Sequence, residues 1–205
     1  MGAFTAIGAA RSEYDWQRLP VSALAIGRHG WLQRVNFVVA GVLYSCAGRG
    51  LRHSASRRVG PRAVPALVTG VGVGLIGSGL FVTDPVGGFP PRTSGASADQ
   101  ADSAATVPTL AGQLHNLFAF PVFAGIPVAA MASAATALRI RDYRWACYSA
   151  GSSVAMVGSF VLFGRAVAGA SRLPGKGGIF QRLSIAAGCG WLTAVSLRAL
   201  SSTAH

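Results

Sequence analysis

Few residues in this chain could do chemistry, and two of them bracket a single stretch. Residues 81–121 read FVTDPVGGFP, then a span rich in Ser, Ala and Gly, then GQLHNLFAFP, so Asp84 and His115 stand at its two ends. A carboxylate that fixes the tautomer of an imidazole turns the ring into a general base, which suits hydrolysis or group transfer. His29 beside the pair would supply a third zinc ligand and leave a fourth position open. No nucleophile-elbow, HExxH or CxxC motif accompanies them, so no metal or cofactor is expected.

A second constellation is cationic. Arg34, Arg165 and Arg182 sit near the ends of apolar runs, with Asn36 and Gln181 close by in sequence. Guanidinium groups make paired hydrogen bonds to phosphate, and Asp84 would orient one of them. This favours non-enzymatic binding of an anionic lipid or headgroup, with a hydrolase or transferase built on His115 and Asp84 as the alternative. Transport ranks last, because no charged residue falls in mid-span and no inverted repeat is evident. A plainer reading weighs against all three. Asp84-Pro85 ends a helix in a turn, His115 bonds near a helix start, and arginines at span ends snorkel to water.

These positions acquire meaning from the apolar runs between them. The chain has 205 residues, 51% hydrophobic and only 12% charged, and its apolar blocks are too long for soluble core helices. The fold class is therefore all-α: a polytopic transmembrane bundle with five spans, near 32–48, 63–83, 113–138, 145–167 and 183–200. Residues 1–30 form a polar, interfacial segment outside the membrane, 84–112 a long outer loop, and 201–205 a tail. Pro20-Val21-Ser22 begins a short helix that Gly27 and Gly30 end, while Trp16 and Trp31 suit the membrane–water boundary. Pro121 and Pro127 predict a kinked third span. Gly70, Gly74 and Ser78, and likewise Gly151, Ala155 and Ser159, recur every four residues and predict close helix packing. Cys46, Cys147 and Cys189 lack metal-ligand spacing and read as small packing residues.

The net charge of +12 does not indicate nucleic acid, because the basic residues lie between spans instead of forming a stripe on a folded face. Arg49, Arg52, Arg57, Arg58 and Arg62 place their loop in the cytoplasm, as do Arg139, Arg141 and Arg144. Alternation then puts Asp84, His115, Arg34, Arg165 and Arg182 at the outer rim of the cell membrane, although Arg172, Lys176 and Arg182 run against the rule. His53 and His205 fall on the other side. Membrane lipids are the expected partners.

Three strings, LPVSALAIGRHGWLQRVNF, FVTDP with GQLHNLFAF, and GIFQRLSIAAGCGWL, resemble the bacterial membrane proteins catalogued as domain of unknown function 998. The resemblance covers residues 14–197. It implies a bundle of typically six spans with no established activity. A full first span should precede Tyr14, so the family-typical first helix is expected to be missing here, either because the true start lies upstream or because this copy has lost it. The matching positions are Pro20, Ser22, Gln33, Asn36, Asp84, Pro85, Gly112, His115, Gln181, Arg182 and Trp191, and the resemblance assigns them no roles.

Overall fold

The computed structural model describes residues 1–53, 60–90, 107–169 and 175–201, and these are helical without a strand. Arg57, Arg58, Arg92, Arg172, His205 and most of the loop 84–112 lie outside the described residues. In chain order come α1 (Gly2–Ala9), a 3-10 turn (Val21–Ala25), α2 (Gly30–His53), α3 (Ala63–Leu80) and α4 (Leu110–Phe120). A π-helical turn (Pro121–Gly125) joins α4 to α5 (Ile126–Arg139), and α6 (Tyr143–Val167) and α7 (Gly177–Ser201) complete the bundle.

Ala63–Leu80, Leu110–Arg139, Tyr143–Val167 and Gly177–Ser201 are long and apolar enough to cross a membrane. The sequence predicts five such spans. The remaining one, α2, has the length at 24 residues. Gln33, Arg34 and Asn36 near one end, with Arg49 and Arg52 near the other, dilute its apolar content. The interruption of Leu110–Arg139 falls where the prolines predict it. Pro121 and Pro127 lack the N–H that would bond four residues back, and the backbone widens into a π turn between them.

Neighbouring helices run antiparallel, as their side-chain bonds show. Trp145 Nε1 donates to Ser133 Oγ at 2.9 Å and Ser153 Oγ to the Pro127 carbonyl at 3.0 Å, which ties α6 to α5. Ser184 Oγ donates to the Met156 carbonyl at 2.9 Å and Trp191 Nε1 to Ser149 Oγ at 3.1 Å, which ties α7 to α6. Each bond satisfies a polar group that an apolar surrounding would otherwise penalise. Asp84, His115, Arg165 and Arg182 consequently share one end of the bundle, the upper end. Arg52, Arg62, Arg139, Arg144 and Arg198 share the lower. There Asp142 accepts from the Trp145 N–H and pairs with Arg198, whose guanidinium lies 4.8 Å from the Trp145 ring centre.

The core runs through Val64, Val68 and Val71 of α3, Ile126 and Ala129 of α5, Met156 of α6, and Trp191 and Val195 of α7. Val35, Val39, Leu43, Val154, Val161 and Leu197 point outward and are more than half exposed. An apolar exterior of this kind suits hydrocarbon as the surrounding solvent. The N-terminal segment is no loose appendage. Phe4, Tyr14, Leu19, Val21, Ala23 and Leu24 form a second core with Phe89 from the α3–α4 connection, under which the upper end is closed.

Close packing is achieved by different glycines from those the four-residue spacing singles out. A Cβ at Gly72 would lie 2.6 Å from the Gly41 carbonyl oxygen, and one at Gly74 2.5 Å from the Phe118 carbonyl oxygen. One at Gly70 would meet nothing within 4 Å, and the same holds at Gly151. Thus Gly74 packs as predicted, while the contact predicted at Gly70 belongs to Gly72, which faces α2. The α6 stripe leaves Gly151 in an open groove with Ala155, Ala187 and Gly190. We expect Gly72→Leu to destabilise the detergent-solubilised protein by about 3 kcal/mol or more, since backbone cannot yield to the added atoms. Gly70→Leu should leave the thermal midpoint within a degree or two of the parent, and equal losses for the two would contradict this packing.

Candidate functional site

Helix α3 stops at Leu80, and its last carbonyls lack intrahelical donors. Two side chains from neighbouring helices take them. Arg34 of α2 donates from Nε to the Gly79 carbonyl at 3.0 Å and from Nη2 to that of Leu80 at 3.3 Å. His115 of α4 approaches the carbonyls of Ser78 and Phe81 with Nδ1, at 3.1 and 2.9 Å. Carbonyls only accept, so Nδ1 carries the proton and the tautomer is assigned by its partners. Positive and donor groups at a helix C-terminus also complement its dipole. His115 is 4% exposed, so this bond sits inside the protein.

Asp84 does a parallel job at the next helix start. Its Oδ1 accepts from Thr109 Oγ1 at 2.6 Å and its Oδ2 from the Thr109 N–H at 3.1 Å. Thr109 in turn caps α4 by accepting the Gly112 N–H at 3.0 Å. The carboxylate lies so close that a Cβ at Gly112 would stand 2.1 Å from Oδ2, which explains a glycine at that helical position. Asp84 and His115, grouped as a catalytic pair from sequence, are therefore at the same end of the bundle but committed to different partners. Among the described residues no group of three His, Cys, Asp or Glu side chains is gathered as a metal ion would need, so His29, Asp84 and His115 form no zinc site there.

Arg182 and Gln181 hold the N-terminal segment against α7. Arg182 Nη1 donates to the carbonyls of Trp16, Leu19 and Gly178 at 2.7, 3.2 and 3.0 Å, and Nη2 to the Tyr14 hydroxyl at 2.8 Å. Gln181 Oε1 accepts the Val21 N–H at 2.7 Å. The helix start is served from the same segment, with the Gly178 and Ile179 N–H groups donating to the Arg18 and Gln17 carbonyls. Burial raises the Tyr14 phenol above its ordinary value near 10, and the Arg182 guanidinium opposes the rise only in part. A phenol raised on folding holds its proton more tightly in the native state. Its contribution is complete below pH 10 and is lost as pH climbs through the raised value.

Of the other sequence candidates, Asn36 donates to Gln33 Oε1 one turn away at a long 3.5 Å. Arg165 is exposed and has no hydrogen-bond or ion-pair partner among the described residues. Beside it lies a feature that sequence reasoning missed. A cavity of about 440 Å³ opens between the end of α6 (Ala166, Val167), the start of α7 (Gly175, Gly177), Val86 and Gly87, and the turn Arg18–Leu19–Pro20. Arg18 Nε would lie 3.8 Å from a Cβ at Gly87, so the side chain reaches the cavity wall. Within the sequence Arg18 was one cation among many in a polar stretch, and only the folding of that stretch over α7 singles it out.

Replacing Arg34 by Gln should strand the Gly79 and Leu80 carbonyls and cost about 1–3 kcal/mol, read as a fall in thermal midpoint. Arg34→Lys should recover only part of the loss, because one ammonium cannot reproduce the fork. Full stability in Arg34→Gln would mean that the cap is dispensable. A separate alkaline titration should show stability declining above about pH 10, with the decline reduced in Tyr14→Phe.

Comparisons with known proteins agree with this architecture but add no chemistry. No curated protein and no solved structure gives a significant match. A family model described as "Protein of unknown function (DUF998)" matches residues 1–198, nearly the whole chain. The chain is therefore a member of the DUF998 family, with multiple membrane-type helices.

Proposed function

We propose that this protein binds an anionic lipid headgroup at its upper rim, without catalysing a reaction. The observation that carries the reading is the cavity at the α6–α7 junction. Arg18 lies in its wall, no acidic residue is among the described residues that line it, and Arg165 and Lys176 are each next in sequence to a lining residue. Among the described residues the Arg18 guanidinium has no side-chain acceptor. A phosphate offers the acceptor oxygens that such a group lacks. Of the residues first considered as ligands, Arg165 keeps that role. Arg34, Asn36, Gln181 and Arg182 instead hold the frame, because their polar atoms already serve helix ends and the N-terminal segment.

The reading also takes α2 as a fifth span and places the upper end outside the cell membrane. Support comes from the outward apolar face of α2, where Trp31, Val35, Val39 and Leu43 are exposed. Arginines crowd the lower end. Reporters fused ahead of Gly30 and just after His53 should then lie on opposite sides. A hydrolase has less support, since Nδ1 of His115 and both oxygens of Asp84 are taken by structural partners.

The test is lipid titration of the delipidated, detergent-purified chain, followed by native mass spectrometry. Phosphatidylglycerol should bind in preference to phosphatidylcholine. Arg18→Gln should weaken that binding about tenfold, the effect of one charge-assisted hydrogen bond. Equal binding of the two lipids, or unchanged binding in both Arg18→Gln and Arg165→Gln, would refute the proposal.

A further inference from the structure

A hydrogen bond joins two of the segments that line the α6–α7 cavity. Lys176 Nζ donates to Gln17 Oε1 at 2.5 Å. Lys176 stands between two lining residues, Gly175 and Gly177, and Gln17 precedes Arg18 in the cavity wall. Backbone bonds hold the two segments in register. The Ile179 N–H donates to the Gln17 carbonyl and the Gly178 N–H to that of Arg18, each at 3.1 Å. The carboxylate of the same turn, Asp15, accepts the Gln17 and Arg18 N–H groups with Oδ1 at 2.9 and 3.4 Å, so it serves the turn's backbone. The ammonium is thus brought beside Arg18 by fixed chain, but its own bond is exchangeable. It lies at the surface, and its acceptor is a neutral amide, which a charged oxygen outcompetes. The flexible four-carbon stem lets Nζ swing without moving the backbone.

Resting on the headgroup reading above, we infer that the cavity selects a phosphomonoester lipid and that Lys176 leaves Gln17 to bind it. The count of phosphate oxygens carries the selection. A guanidinium fork takes two of them. The diester phosphate of phosphatidylglycerol has two non-bridging oxygens, and the Arg18 fork uses both. A monoester, like that of phosphoserine, keeps three acceptor oxygens and carries about −1.5 to −2 charge at pH 7. Lys176 is the donor placed for the third oxygen, where it exchanges a neutral acceptor for a charged one. The side chains of Leu19, Pro20, Val86 and Val167 add no polar group to the wall. The terminal glycerol of phosphatidylglycerol finds no partner among them, whereas phosphatidic acid has no such group to satisfy.

Native mass spectrometry of the delipidated full-length chain, titrated with phosphatidic acid and phosphatidylglycerol of matched acyl chains, tests this. Phosphatidic acid should bind about tenfold more tightly, the effect of one charge-assisted hydrogen bond. Lys176→Gln should abolish that advantage and leave phosphatidylglycerol binding within about twofold of the parent. Gln17→Leu frees the ammonium beforehand and should tighten phosphatidic acid binding about twofold, where a merely structural bond would give a loss. Equal affinity for the two anionic lipids, both still preferred over phosphatidylcholine, overturns the monoester and leaves the headgroup reading standing. Loss of the preference over phosphatidylcholine overturns both. An advantage that survives Lys176→Gln, or binding unchanged or weakened in Gln17→Leu, overturns the exchange. Glycerol 3-phosphate carries the same monoester without acyl chains and should not displace the lipid at equal concentration. Displacement would make a soluble phosphomonoester the occupant and overturn the lipid.

Discussion

Where a helix ends within or beside hydrocarbon, its last carbonyls and first amides cannot turn to bulk water, and each must find a partner inside the protein. The upper end of this bundle is arranged around that demand. The terminal carbonyls of α3 are taken by Arg34 and His115, and the first turn of α4 by Thr109 with Asp84 behind it. The start of α7 is met by carbonyls from residues 17 and 18. The proline-interrupted helix is tied to its neighbour in a similar way, with Ser153 of α6 donating to the Pro127 carbonyl. The polar residues near the spans are thus mostly the means by which a chain with breaks and reversals satisfies its own backbone.

That constraint sorts the charged residues into two kinds. Arg182 makes three bonds to carbonyls and one to Tyr14, and its guanidinium also lies about 6 Å from the rings of Phe4, Tyr14 and Trp16. A phosphate drawing it away would have to replace each of those contacts and release the N-terminal segment. Arg34 is held less fully but by the same logic. Arg18 and Arg165 are different, because nothing among the described residues would be given up when they meet an anion. Position at the rim therefore says little about ligand binding until the backbone's needs have been subtracted.

Much of this was legible from sequence. The long apolar runs located α3, α6 and α7 to within a few residues at most ends, and Pro121 with Pro127 marked the interruption between α4 and α5. The short helix after Pro20 was also visible, because proline opens it and Gly27, at φ 80°, closes it. Partnership was not legible. His115 and Asp84 look like a pair because both are rare polar residues at span ends, whereas their actual partners are two backbone carbonyls and a threonine, which carry no distinctive signal. The glycine stripes failed for a related reason. A four-residue spacing identifies a helix face but not whether a neighbour occupies it, so Gly70 and Gly74 look equivalent until α4 covers one and nothing covers the other.

Electrostatics decides why an anion would settle at the α6–α7 junction and not at the more crowded end of α3. A helix C-terminus carries partial negative charge, and at α3 the cationic and donor groups of Arg34 and His115 serve mainly to offset it. An added anion there would compete with the carbonyls for the same donors. At the junction the C-terminal end of α6 and the N-terminal end of α7 meet, and their opposite partial charges largely cancel. What is left is the charge of Arg18 in the cavity wall, with Arg165 and Lys176 each next in sequence to a lining residue and Lys176 shared with Gln17, and the described lining contains no carboxylate. On the proposed reading the more occupied of the two polar regions would be the poorer receptor, and the site with fewer visible bonds the one with attraction to spare.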